Sequence, residues 1–133
     1  MSDQKPSYPL YQAHAGTLRI AGCTLPRNAS KCAYHYFERG IWPIDFLVIG
    51  ANANQQAMKA MGSFRHRVEQ DSSRRNSNNG ATFTVAFIPL RFHTDTESAV
   101  THEHIEKDAT VWRTVLFSDT ENNGYHIHPY RKA

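Results

Sequence analysis

The sequence predicts an α+β domain, a two-layer β-α-β-α-β-β sandwich in which a mixed four-stranded sheet carries two helices on one face. Three observations predict it. Short runs of β-favouring residues alternate with two stretches whose apolar residues recur at spacings of three and four, and the last two strand-like runs follow each other without a helix between them. A length of 133 residues without internal repeats is one domain, and 40% hydrophobic residues suffice for one core.

The first 16 residues are rich in Pro, Ser, Gln and Tyr without a period and read as an irregular arm. In "TLRIAG", Leu18 and Ile20 share one side and Thr17 and Arg19 the other, which predicts a half-buried strand ended by Gly22. Thr24 is the expected cap of the first helix, Pro26 suits its first turn, and Gly40 closes it. Ala29, Cys32, Ala33, Tyr36 and Phe37 form its inner stripe.

"IDFLVIG" is too short for a helix and, with only Asp45 interrupting it, reads as a central strand buried on both faces. A second helix is expected from about Asn54 to Glu69, with Ala57, Met61, Phe64 and Val68 inward and Lys59, Ser63 and His66 in solvent. Gln70 to Gly80 has no hydrophobic residue and reads as a loop. "TFTVAFIPLRFH" alternates as a strand that Pro89 places at a sheet edge or a bend. "TVWRTVLF" is the fourth strand, joined to the third by a long acidic connection. Right-handed crossovers make the first three strands parallel, both helices cover one face, and the open opposite face predicts an oligomer. Residues 17–119 are thus the expected domain, between an arm at 1–16 and a tail at 120–133.

No run approaches the roughly 20 apolar residues of a membrane span, and the start lacks the pattern of a signal peptide, so a cytoplasmic protein that does not engage membranes is expected. Cys23 and Cys32 match no metal or redox spacing and are expected to be buried free thiols. Net charge is +3, but residues 1–92 hold 11 of the 15 Lys and Arg against five acids, a net of +6, whereas residues 93–121 carry −5. A basic face therefore belongs to the first two thirds of the chain.

The stretch "IGANANQQAMKAM" places four uncharged amides where the second strand hands over to the second helix. This junction resembles that of the stage V sporulation protein S family, in which a segment close to I-G-A-x-x-x-x-Q-A-V-K-A is matched by Ile49, Gly50, Ala51, Gln56, Ala57, Met58, Lys59 and Ala60. "LRIAG", "LPRNAS", "ERG" and "FIP" extend the similarity over roughly residues 17 to 117. The resemblance implies an Alba-like fold and an oligomeric regulatory or architectural protein that binds DNA or RNA without catalysis. It also implies contacts from the loop before the first helix, the start of the second helix and the hairpin between strands three and four. The chain departs from the wider Alba pattern in two places: "GCTLP" lacks the paired lysines before its Pro, and the hairpin carries Asp95, Glu97, Glu103, Glu106 and Asp108.

Free amides and partial positive charge at a helix start can seat a phosphate. Asn52, Asn54 and Gln55 would add neutral hydrogen bonds and Lys59, one turn in, the charge. Arg27 and Lys31 complete this edge, and Arg65, Arg74, Arg75 and Arg91 extend it. Capping and turn formation account for Asn52 and Asn54 equally well. Stacking on bases is open to Trp42, Phe92 and Trp112, though their places beside strands favour burial.

His102 with His104 and His126 with His128 form H-x-H pairs, with His93 and Glu106 as possible further ligands, but neither pair belongs to a closed set, so no metal is expected. No nucleophile motif, phosphate loop or deaminase signature occurs, so neither catalysis nor a cofactor is expected. The sequence thus predicts a cytoplasmic nucleic-acid-binding homodimer or homotetramer. The competing reading is a protein-interaction adaptor that uses the acidic 93–109 hairpin and the terminal arms.

Overall fold

The computed structural model describes residues 8–75, 82–97, 100–120 and 124–127. It is an α+β fold in the order β1 (Thr17–Ile20), α1 (Pro26–Glu38), β2 (Asp45–Val48), α2 (Ala51–Arg75), β3 (Thr82–Glu97), β4 (His104–Thr120) and β5 (Gly124–Ile127). The sheet runs β1-β2-β4-β3. β1 and β2 are parallel, β4 is antiparallel to both β2 and β3, and the first three strands therefore share one direction although β4 separates β2 from β3.

Leu18, Ile20, Phe46, Val48, Val85 and Leu116 face the helices, where they meet Ala29 and Ala33 of α1 and Ala57, Met61, Phe64 and Val68 of α2. The Phe64 ring lies 6.3 Å from Phe37 and from Phe46 and 6.5 Å from Phe87, so aromatic edges and faces interlock at the centre of this layer. Both predicted helical stripes are the packed ones. Trp42 and Trp112 are partly buried against the same core.

Several local expectations are corrected. Leu25, not Thr24, occupies the N-cap position of α1, without a side-chain cap; the Thr24 hydroxyl is taken by the Ala21 amide at 2.8 Å in the preceding turn. Gly40 does end the helix, at φ 73, with Ile41 N–H donating to the Tyr36 carbonyl and Gly40 N–H to that of Phe37. α2 starts three residues earlier than expected and runs through Gln70, Asp71 and Ser72 to Arg75, because neither Gly nor Pro interrupts it there. The rest of the expected loop, residues 76–81, lies outside the described residues. β3 and β4 continue to Glu97 and from His104 as a two-stranded ribbon beyond the end of β2, and the expected tail contains β5, paired to β4. Cys23 is exposed in the β1–α1 turn, where no second layer reaches it; Cys32 is half-buried.

The sheet face opposite the helices is covered by the arm at one end and stays open at Ile88, which shares that face with Leu90 and is exposed. Tyr11 of the N-terminal arm packs on the covered part with Leu47, Ala109 and Val111, and its ring meets Phe92 edge-on at 5.2 Å. The arm also joins the outer edge of β3: Tyr11 N–H donates to the His93 carbonyl and His93 N–H to the Pro9 carbonyl, each at 2.9 Å. Both backbone groups of His93 thus point away from β4. Pro89, four residues earlier, has the same outward setting, so its missing N–H costs no sheet bond. No helix among the described residues is long and apolar enough to cross a membrane.

Candidate functional site

Two places concentrate polar side chains. The first is the corner where the parallel strands β1 and β2 end and release α1 and α2. Adjacent parallel strands bring both helix starts to one edge of the sheet. They touch: a Cβ on Gly22 would lie 3.2 Å from the Asn52 Cβ, and the Gln56 amide donates to the Gly22 carbonyl at 3.3 Å. Gly50, at φ +94, makes the turn that starts α2, and the Asn54 N–H closes it on the Gly50 carbonyl at 3.1 Å. Neither first turn contains an acidic residue, and no side chain caps α1.

Around this corner Arg27, Lys31, Asn52, Gln55 and Lys59 are exposed. Between Thr17 and Phe64 the acids are Glu38, at the far end of α1, and Asp45, fully buried. Leu25 and Ile49 add an exposed apolar lip.

The structure separates the remaining candidates. Asn54 turns its side-chain oxygen inward to accept the Trp112 indole N–H at 2.9 Å, so it ties α2 to β4. Because α2 begins at Ala51, Lys59 lies roughly 12 Å along its axis, more than the one turn expected from the sequence. Arg65 is exposed beside an open groove of about 400 Å³ lined by Met58, Met61, Val85, Phe87 and Trp112. Arg91 is on the ribbon, bonded to the Thr110 hydroxyl at 3.0 Å and set over the Tyr8 ring. Arg74 and Arg75 stand in the last turn of α2, about 25 residues from its start. Arg27, Asn52 and Gln55 thus lie within the first five residues of their helices and Lys31 is the sixth of α1, whereas Arg65, Arg91 and the Arg74–Arg75 pair lie farther from either helix start.

The expectation for the two asparagines becomes divisible. Asn54→Ala should lower stability by about 1 kcal/mol, because it strands the partly buried indole N–H, and should leave ligand affinity unchanged. Asn52→Ala should do the reverse. Urea unfolding and a binding titration on each variant check both outcomes.

No family model matches the chain, and no curated protein is significantly similar to it.

The second polar cluster was not anticipated from the sequence. Asp45, at 0% exposure, lies directly across from Arg113, which bonds it through Nε at 2.9 Å and Nη2 at 2.8 Å. The Tyr11 hydroxyl donates to the same carboxylate at 2.9 Å and His14 Nε2 approaches it at 2.8 Å. His14 Nδ1 accepts the Gly16 N–H at 3.1 Å, so the proton is on Nε2 and donates to Asp45. Both ring nitrogens are thereby engaged within the protein, and no lone pair remains to act as a general base. Burial alone would push the Asp45 carboxyl up, but bonds from Arg113, His14 and Tyr11 outweigh it and hold it below the ordinary carboxylate value. Burial pushes the Tyr11 phenol up to about 12, reinforced by its bond to Asp45 and opposed by that to Thr17. Such a set fastens the arm to the sheet. Its only sequence signal was one acid inside an apolar strand.

Among the described residues no three His, Cys, Asp or Glu side chains come together as a metal site. His104 instead pairs with Asp95 at 3.2 Å on the exposed ribbon, and His128 lies outside the described residues.

Proposed function

We propose that this chain is a cytoplasmic, non-enzymatic DNA- or RNA-binding protein of regulatory or architectural type that seats phosphates at the corner between the starts of α1 and α2. The observation that carries the reading is the pairing of two helix starts without first-turn acids, flanked by exposed Arg27 and Lys31. Asn52 and Gln55 add hydrogen-bonding groups, and Lys59 extends the basic track along α2. The resemblance at residues 49–60 to the stage V sporulation protein S family, with its Alba-like fold, supports the same reading and an assembly into a homodimer or homotetramer.

Mobility-shift titrations with duplex DNA, single-stranded DNA and RNA at about 50 and 200 mM salt test it. Contacts to several phosphates predict an affinity that falls by an order of magnitude or more over that range. An absence of binding to all three at the lower salt overturns the proposal.

A second reading has its own observation. The ribbon of β3 and β4 projects past β2, and its exposed Asp95, Glu103, Glu106 and Asp108 suit a basic protein partner better than a nucleic acid. Removing residues 94–108 separates the two: nucleic-acid affinity stays unchanged or rises under the first, whereas a bound protein is lost under the second.

A further inference from the structure

β3 is an edge strand whose outer side is occupied, among the described residues, at one place. The arm meets it there through an isolated parallel bridge, Leu10 to His93, while Arg91, Pro89, Val85 and the other residues of the same parity aim their backbone groups away from β4. The bridge satisfies both main-chain groups of His93. An edge strand freed of such cover presents unpaired N–H and C=O groups to other chains.

We propose that the N-terminal arm is a displaceable strap over the β3 edge, and that the partner it holds off is a second copy of this chain, pairing antiparallel to it about His93. The charge pattern of the edge selects that partner. A two-fold axis through His93 sets Arg91 of each copy opposite Asp95 of the other, so the segment is complementary to itself, and both side chains are exposed in the single chain. Pro89, without an N–H, ends the pairing two residues beyond Arg91. The interface is therefore short and yields readily to a competitor.

The strap competes well because it is tethered. Tyr11 is six residues from Thr17, where β1 begins, which gives the arm a local concentration on the order of millimolar against a second copy at micromolar concentration. Tyr11 is also its main fastening: the buried ring fills the cluster of Leu47, Ala109 and Val111, and its hydroxyl reaches both Asp45 at 2.9 Å and Thr17 at 2.7 Å. Replacing this side chain shifts the balance toward edge pairing while leaving the residues of β3 themselves unchanged.

Sedimentation velocity on the full chain tests the device. Tyr11→Ala is expected to double the mass of the wild-type species at tens of micromolar, through self-association about tenfold or more tighter. Arg91→Glu in that background returns it to the wild-type mass, and adding Asp95→Arg, which restores opposite charges across the axis, doubles it again. The proposal is overturned if Tyr11→Ala keeps the wild-type mass, or if its larger species ignores Arg91→Glu. Should Tyr11→Ala lose its cooperative thermal transition, Tyr11→Phe, which keeps the ring and removes both hydroxyl bonds, takes its place in the same series, with a smaller doubled fraction. None of these readouts involves nucleic acid, so the corner between the helices stands or falls separately.

Discussion

Asp45→Ala is expected to lower the stability of the fold by about 3 kcal/mol, measured by urea unfolding at neutral pH. The loss is large because the carboxylate is completely buried and receives four hydrogen bonds, two from Arg113 and one each from Tyr11 and His14. It stays at the lower end of the range for broken buried pairs because the Arg113 side chain is 36% exposed and can rehydrate. The pH profile carries the signature of the same contact. The carboxyl titrates below its unfolded value in the folded chain, so its contribution is complete above about pH 4 and is lost as pH falls through the lower folded value. Asp45→Asn should therefore flatten the stability profile on the acid side. At the alkaline end the sign reverses: the raised Tyr11 phenol contributes fully below about pH 10 and loses that contribution as pH rises through about 12. Tyr11→Phe should remove this alkaline decline, and an unchanged acid profile in Asp45→Asn would contradict the assigned bonds.

Reversing charge at the corner should have the largest effect on binding. The triple substitution Arg27→Glu, Lys31→Glu, Lys59→Glu is expected to abolish detectable nucleic-acid binding at about 150 mM salt and to leave the unfolding transition within about 0.5 kcal/mol per site. All three side chains are exposed and carry no ion pair among the described contacts, so little of the fold depends on them. Single substitutions give a finer reading. Each lost phosphate contact should reduce the slope of log affinity against log salt by roughly 0.9 on duplex DNA or 0.7 on single strands. If Arg27→Glu lowers affinity with no change of slope, its effect is not a phosphate contact. If the triple variant binds like the wild type, the basic track does not carry the function.

Much of the architecture was legible where the signal is local. The inner stripes of α1 and α2, the doubly buried β2, Gly40 as a helix end and Pro89 at a sheet edge each follow from residue spacing or from one residue's backbone chemistry. The errors share a cause as well. Thr24 has the chemistry of a helix cap, yet its hydroxyl is taken by the turn before α1. The stretch that continues α2 was polar enough to read as a loop, but polarity without Gly or Pro does not stop a helix. Asn54 and Asn52 look alike in the chain; only the position of Trp112, 58 residues away from Asn54, makes one of them a structural tie.

The sequence by itself determined the class of the fold, the faces that pack and the basic character of the edge where α1 and α2 begin, because burial patterns repeat at the spacing of the helix and the strand. Tertiary structure alone decided that β4 lies between β2 and β3, that the arm covers part of the second face of the sheet, and that Asp45 is its anchor. The partners of that carboxylate are 31, 34 and 68 residues away in the chain. Contacts over such distances leave no period in the sequence, since what brings them together is the free energy of the whole assembled core and not the preference of any segment.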